Sequence, residues 1–303
     1  MAVSLKQFST KSQVKSISLP CRSHPATLRI EQELNAAKTA ASVAASNPSA
    51  ETICSGLSQL AELHKCMEDL LNLSATRVLI SGEQNRKWVE ELIEESVNFL
   101  DVIGAVKDMV AQIKEHVRDL QCVVRRRKGE LSGEKSVISY NCFRKKMKKD
   151  VKLLVGSLKQ VDNMITGWVV VDSNNHQLGA VMKAVIGVSE TTVSFFESLL
   201  FFLSMPISKT SRWSVVVSKL IHKGIVACED QQEWAISNEF ESVDDALQTL
   251  CKNGSSTESE KMQIAKCRLE KLETVAECME ARLECLFRRL IGTRASMLNI
   301  ISE

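Results

Sequence analysis

The chain predicts an all-α fold: an elongated multi-helix bundle of about six to eight helices, a long C-terminal helix with a heptad pattern, and a disordered N-terminal tail. Three observations carry this. Apolar residues recur three and four apart through residues 89–124 and again through 265–300. Chain breakers are scarce, with 4 prolines and 12 glycines in 303 residues. A single Tyr and 9 Phe are too few for a β-rich core, whereas 44% apolar content suffices for a sizeable helical one. The expected layout is a basic Ser-rich tail over 1–26, a helical bundle over 27–252, a polar linker over 253–259 and the heptad helix over 260–303.

The tail comes first. No acidic residue precedes Glu31, while Lys6, Lys11, Lys15, Arg22 and Arg29 stand among eight Ser or Thr. That composition suits a transit peptide, or a disordered segment open to phosphorylation. Within it, Pro20 and Pro25 hold Leu19 and His24 out of the helical region, so Ser16–Pro25 is expected to be extended.

Asn47-Pro48 reads as an N-cap followed by proline at the first helical position. It separates a helix of about 27–45 from one of about 48–73. Ser81-Gly82-Glu83-Gln84 has capping-box spacing and opens the clearest helix. Its seam is Val89, Leu92, Ser96, Phe99, Ile103, Val106, Val110, Ile113, Val117, Leu120 and Val124, apolar at every position but Ser96. Gly129 to Gly133 breaks the pattern, and a helix over 140–171 resumes it with a basic first half. Asp172–Asn175 is a turn cluster.

The next helix, about 176–205, is the most apolar. Lys183, Glu190 and Glu197 interrupt every window of bilayer-spanning length, so it is expected at the centre of the bundle, with Pro206 ending it. Two more helices follow, over 208–230 and 242–252, the latter closed by Asn253-Gly254. Thr257-x-x-Glu260 is a capping box for the last helix. Its seam runs Ala265, Leu269, Leu272, Ala276, Met279, Leu283, Leu286, Leu290, Thr293, Met297 and Ile300, about five heptads with Thr293 the polar exception. Packing on the 89–124 seam is favoured, because both seams are similar in length and each needs a partner face. A homodimer through 265–300 is the alternative.

Little in the sequence suggests catalysis. The 10 cysteines form no C-x-x-C pair and the 5 histidines are scattered, so free reduced thiols are expected, with no metal and no cofactor. Cys278 and Cys285 fall off the heptad seam. Glu90, Glu91, Glu94 and Glu95 read as charge favoured near a helix N-terminus. There is no phosphate-cradling glycine loop, no G-x-S-x-G and no H-E-x-x-H. A non-enzymatic protein is expected.

One cluster carries a functional reading. The formal charge of +2 hides residues 125–152, where eleven Lys or Arg face only Glu130, Glu134 and Asp150, leaving the remainder at −6. Arg125, Arg126, Arg127 and Lys128 follow the long seam helix, where cations suit the dipole. Arg144, Lys145, Lys146, Lys148 and Lys149 are expected to open the next helix, where the same charges oppose it. If both runs lie beside one turn, they converge on one end of the bundle. Such a patch could meet anionic lipid or an acidic protein, or act as a nuclear import signal. The bland alternative is a solvated, charge-rich loop. Nucleic acid is disfavoured, since the block has no regular aromatic interleaving.

Several stretches, in order along the chain, resemble a plant-specific family, domain of unknown function 241, related to BYPASS-type proteins. They are Ser16-Ile-Ser-Leu-Pro-Cys-Arg-Ser-His-Pro25, Glu51–Leu57, Glu68–Leu71, Lys87–Leu92, Lys114–Gln121 with the following arginines, and Arg144–Lys149. Cys21 stands where the family pattern has Ser, which weakens any phosphorylation role for that position. Cleavage of a transit peptide would remove the first stretch, so a retained tail is favoured. The resemblance implies a plant protein associated with root and shoot development, and no reaction. The reading is an intracellular, chiefly cytoplasmic, helical scaffold that binds other proteins. Its alternative is a peripheral membrane protein held on anionic lipid by residues 125–149; nuclear or chloroplast localisation would follow from the import readings.

Overall fold

The structure is a computed structural model that describes residues 25–126, 130–168, 176–205, 238–251 and 258–302. Among these residues it has eight α-helices, one 3-10 turn and no strand. The helices are α1 (Pro25–Ser46), α2 (Ala50–Leu71), α3 (Ser74–Ile80), α4 (Arg86–Arg126), α5 (Glu130–Thr166), α6 (His176–Ser204), α7 (Glu239–Cys251) and α8 (Glu258–Ser302). The expected helix over 208–230 lies outside the described residues, as does the Ser16–Pro25 segment except for Pro25.

Two local expectations change. The helix after Pro48 is capped by Ser49 rather than Asn47. Ser49 is extended, its hydroxyl accepts from the Thr52 amide, and the Thr52 hydroxyl accepts from the Ser49 amide. This reciprocal pair is a capping box with Thr in place of the usual Glu. Ser81–Gln84 forms no such box. Gly82 leads into a 3-10 turn at Glu83–Asn85, and the Asn85 side chain donates to the Leu79 carbonyl at 3.0 Å, tying the turn back to α3.

The two predicted seams pack on each other. α4 and α8, with 41 and 45 residues, are each about 60–70 Å long and run antiparallel. All eleven seam residues of each helix are buried. Lys107–Glu284, Lys114–Glu280 and Arg118–Glu273 flank the interface, and Gln121 also donates to Glu273. Such solvent-screened pairs contribute little to stability, so their main effect is to select the antiparallel register. α2 covers the rest of the α8 seam. A homodimer through 265–300 would have to open these contacts.

The two polar exceptions, Ser96 and Thr293, sit close together in one layer of the core. Arg294 donates to both the Ile93 carbonyl (2.9 Å) and the Ser96 hydroxyl (3.1 Å), while the Thr293 hydroxyl reaches the His64 carbonyl. A buried polar layer of this kind penalises slipped registers, because a shift leaves its groups unpaired.

α6 is central, as expected, in contact with α1, α2 and α5. It is long and apolar enough to cross a membrane, yet 72% of its most apolar 18-residue window is buried inside the bundle. The approach of α2 to α6 requires Gly56: a Cβ there would lie 2.0 Å from a ring carbon of buried Phe195. Gly→Ala in a helix ordinarily gains about 1 kcal/mol. At Gly56 the overpacking cost of up to about 3 kcal/mol outweighs it, so Gly56→Ala should lower the melting temperature by several degrees. Gly104→Ala and Gly156→Ala, where a Cβ meets nothing within 4 Å, should raise it. Thermal unfolding followed by circular dichroism distinguishes these signs.

Candidate functional site

Successive residues on a helix turn by about 100°, so the cations of α5 cannot all point one way. Tyr140, Phe143, Arg144, Met147, Val151, Leu158, Val161 and Ile165 form its buried face, against α4 and α6. The ring of His116 on α4 stacks at 4.7 Å on Phe143 and sets the level of the α4–α5 hairpin. Lys145, Lys146 and Lys149 lie on the opposite face and are exposed.

Arg144 is therefore not part of a surface patch. Its side chain is fully buried, and its guanidinium caps the C-terminus of α6. It donates to the carbonyls of Leu203 (3.0 Å) and Met205 (3.2 Å), pairs with Asp244 of α7 at 3.3 Å, and lies 4.6 Å over the Phe240 ring. Asn238 completes the cap: its side chain donates to the Phe202 carbonyl and accepts from the Glu241 amide, closing α6 and opening α7 together. The last carbonyls of a helix have no partner within it, and a planar five-donor cation satisfies two of them while meeting a carboxylate. Burial and then the Asp244 charge push the nearby Tyr140 hydroxyl well above its ordinary pKa. Lys148, half-buried, has its pKa lowered by burial and by Arg144, with Asp244 acting in the opposite sense.

Nor does Arg144–Lys149 open a helix. α5 begins at Glu130, which puts Arg144 about 21 Å along the axis and away from the dipole of the first turn. Of the break expected from Gly129 to Gly133, residues 130–133 are helical within α5, and Gly129 lies outside the described residues. Arg125 is exposed at the other end of the hairpin arm, near the C-terminus of α4. Arg126 ends α4, and Arg127 and Lys128 lie outside the described residues. The described cations of α5 are thus strung along that helix, with Arg144 turned inward.

Along that outer face, Lys135 precedes and Leu153 follows the lysine run, with Ile138 between. Ile138 is 53% and Leu153 72% exposed, among the most exposed large apolar side chains described. Among the described residues, Lys135, Lys145, Lys146 and Lys149 enter no ion pair.

A second set of ionisable groups is buried and was not foreseen as such. The acidic run at Glu90–Glu95 splits: Glu90 and Glu91 pair with Arg86 and Lys87 one turn back, while Glu95 turns into the core. Its position three after Leu92 and four before Phe99 is the signal that separates it from its neighbours. Burial pushes its carboxyl up to about 8 against the help of the Ser189 hydroxyl. His64, hydrogen-bonded to Thr192 at 3.0 Å, is held at about 4 by burial. Ser189 and Thr192 are neighbours on α6, so both groups face the same central helix. Cys278, off the seam as expected, faces Cys54 of α2. Burial, followed by that neighbouring thiol, pushes Cys54 up to about 12, while Cys285 is exposed.

The family model described as Protein BPS1 matches residues 56–300, from the first third of α2 almost to the end of α8. The Pro-bracketed segment Ser16–Pro25 lies ahead of the match. No curated protein and no solved structure matches the chain.

Proposed function

This chain belongs to the BPS1 family of plant proteins, and we propose on that premise that it is a non-enzymatic interaction protein of root and shoot development that docks anionic partners through the outer face of α5. One observation carries the reading. Four lysines without ion-pair partners among the described residues share an exposed helical face with two large aliphatic side chains, while the other unusual ionisable groups are committed to holding helices together. Arg144 and Asp244 join α5, α6 and α7; His64 and Glu95 bond to α6. A rigid bundle that spends its buried charges on its own packing acts through its surface.

Reversal of Lys145, Lys146 and Lys149 to Glu tests this without touching Arg144. Exposed substitutions of this kind should leave stability within about 0.5 kcal/mol each. Proximity labelling in root tissue should then lose a defined group of neighbours that the wild-type protein labels. An unchanged set of neighbours, with the variant folded and equally abundant, would refute the docking role.

A further inference from the structure

We propose that the occupant of the α5 face is the anionic surface of a lipid bilayer, with headgroup phosphates and carboxylates meeting the lysines and Ile138 and Leu153 entering the acyl boundary. The inference rests on the docking reading above and names its partner.

Four features of the face select a membrane over an acidic protein. The first is shape. At 100° per residue, Lys135, Ile138, Lys145, Lys146, Lys149 and Leu153 fall within a sector about 100° wide, directly opposite the buried face. With α4 and α6 behind it, this sector is a straight convex ridge about 27 Å long, where a bound peptide would need a groove. A plane fits a ridge.

The second is the kind of cation. Lysine is a compact point charge suited to a diffuse anionic layer, whereas arginine's fork suits individual carboxylates of a protein partner. The one arginine in the run, Arg144, is turned inward and capped.

The third is the placing of the aliphatics. Ile138 and Leu153 are about 22 Å apart along the axis and bracket the lysine run, so insertion of both would lay the helix parallel to the surface. The lysine stems can bury along the same boundary while their ammonium groups stay in the headgroup layer.

The fourth is charge balance. On α5 itself Glu134 is at the start of the face and Asp150 on its flank. From the helices behind, Glu197 of α6 is set near Asp162 and Lys159, beyond the far end of the ridge. No carboxylate pairs with the four lysines among the described residues, so the face keeps its positive potential.

The test is flotation of the full chain with vesicles of phosphatidylcholine alone or with about one-third phosphatidylserine. Wild-type protein should float only with the anionic vesicles. A lysine near such a surface contributes about a fivefold factor in partitioning, so Lys145→Gln with Lys146→Gln and Lys149→Gln should cost about a hundredfold. Salt near 1 M, which shortens screening to about 3 Å, should release the wild type. Ile138→Ser with Leu153→Ser should also weaken flotation while all lysines remain. Both variants should melt with the wild type, which keeps misfolding out of the result. Equal flotation with neutral and anionic vesicles, or an undiminished lysine variant, overturns the proposal. If wild-type protein ignores both vesicles while the lysine-dependent labelling persists in tissue, the lipid assignment falls and the docking role stands. If labelling is also independent of the lysines, both fall.

Discussion

Arg144→Met should destabilise the protein by about 3–5 kcal/mol, although the residue lies in what reads as a surface run of lysines. The loss comes from what the guanidinium leaves behind. Asp244 would remain buried without its ion-pair partner, and the Leu203 and Met205 carbonyls would lose their donor at the end of α6. The contact over Phe240 would go as well. The damage should be local first: amide exchange in α7 should speed up before that of α4 or α8, because α7 joins α5 and α6 through this cluster. Lys at 144 keeps the charge but cannot reach two carbonyls and a carboxylate in one plane, so it should recover only part of the loss. Arg144→Met with Asp244→Leu removes both charges, and it should be more stable than Arg144→Met alone. Urea unfolding of the four proteins gives the comparison. An Arg144→Met variant within 1 kcal/mol of wild type would show that the buried pair contributes nothing.

A pH series should expose the second large effect. For Glu95 the folded-state pKa, about 8, lies above the ordinary 4.5, so the folded state holds its proton while the unfolded chain releases it. That term is absent below about pH 4.5 and costs stability progressively as pH rises to 8. His64 has the opposite sense. Its folded value of about 4 lies below 6.5, so its term costs stability as pH falls from 6.5 to 4. Between about pH 4.5 and 6.5 the two slopes oppose one another and nearly cancel. From 6.5 to 8 only Glu95 acts, at about 1.4 kcal/mol per pH unit, for a decline of about 2 kcal/mol. Glu95→Gln should abolish this decline and be the more stable protein at pH 8 by up to about 4 kcal/mol, with little difference near pH 4.5. Melting temperatures of both proteins at pH 4.5, 6.5 and 8 are sufficient. A decline of the same size in the variant would place its origin elsewhere.

The bundle was largely legible in the chain. The α4 and α8 seams could be written down residue by residue because an amphipathic helix must bury one stripe, and a 3.6-residue period marks which. Ser96 and Thr293 looked like isolated defects in those stripes. Their meaning depends on Arg294 and the His64 carbonyl, contributed by helices far apart in sequence. Helix starts were less legible: Asn47, Ser49 and Ser81 are all capable caps, and the chain uses only Ser49, where Thr52 can reciprocate. The candidate site was half legible. Its cations were visible as composition, but Arg144 and Lys145 differ by one position and by 100° of rotation, and end on opposite sides of α5. A hint was present, since Tyr140, Met147 and Val151 stand four before, three after and seven after Arg144.

By itself, then, the sequence determined what depends on neighbours along the chain: all-α character, the two long stripes, the apolar central helix and the basic run. Helix geometry is local, and periodicity reports it directly. Which charges face water was decided only by the tertiary structure. Arg144 becomes a cap because the end of α6 and Asp244 arrive from 59 and 100 residues away. Glu95 becomes a buried acid because α6 closes over it. A charge is stable indoors only where distant groups pair with it or hold its proton, and the chain's linear order carries no record of which groups those will be.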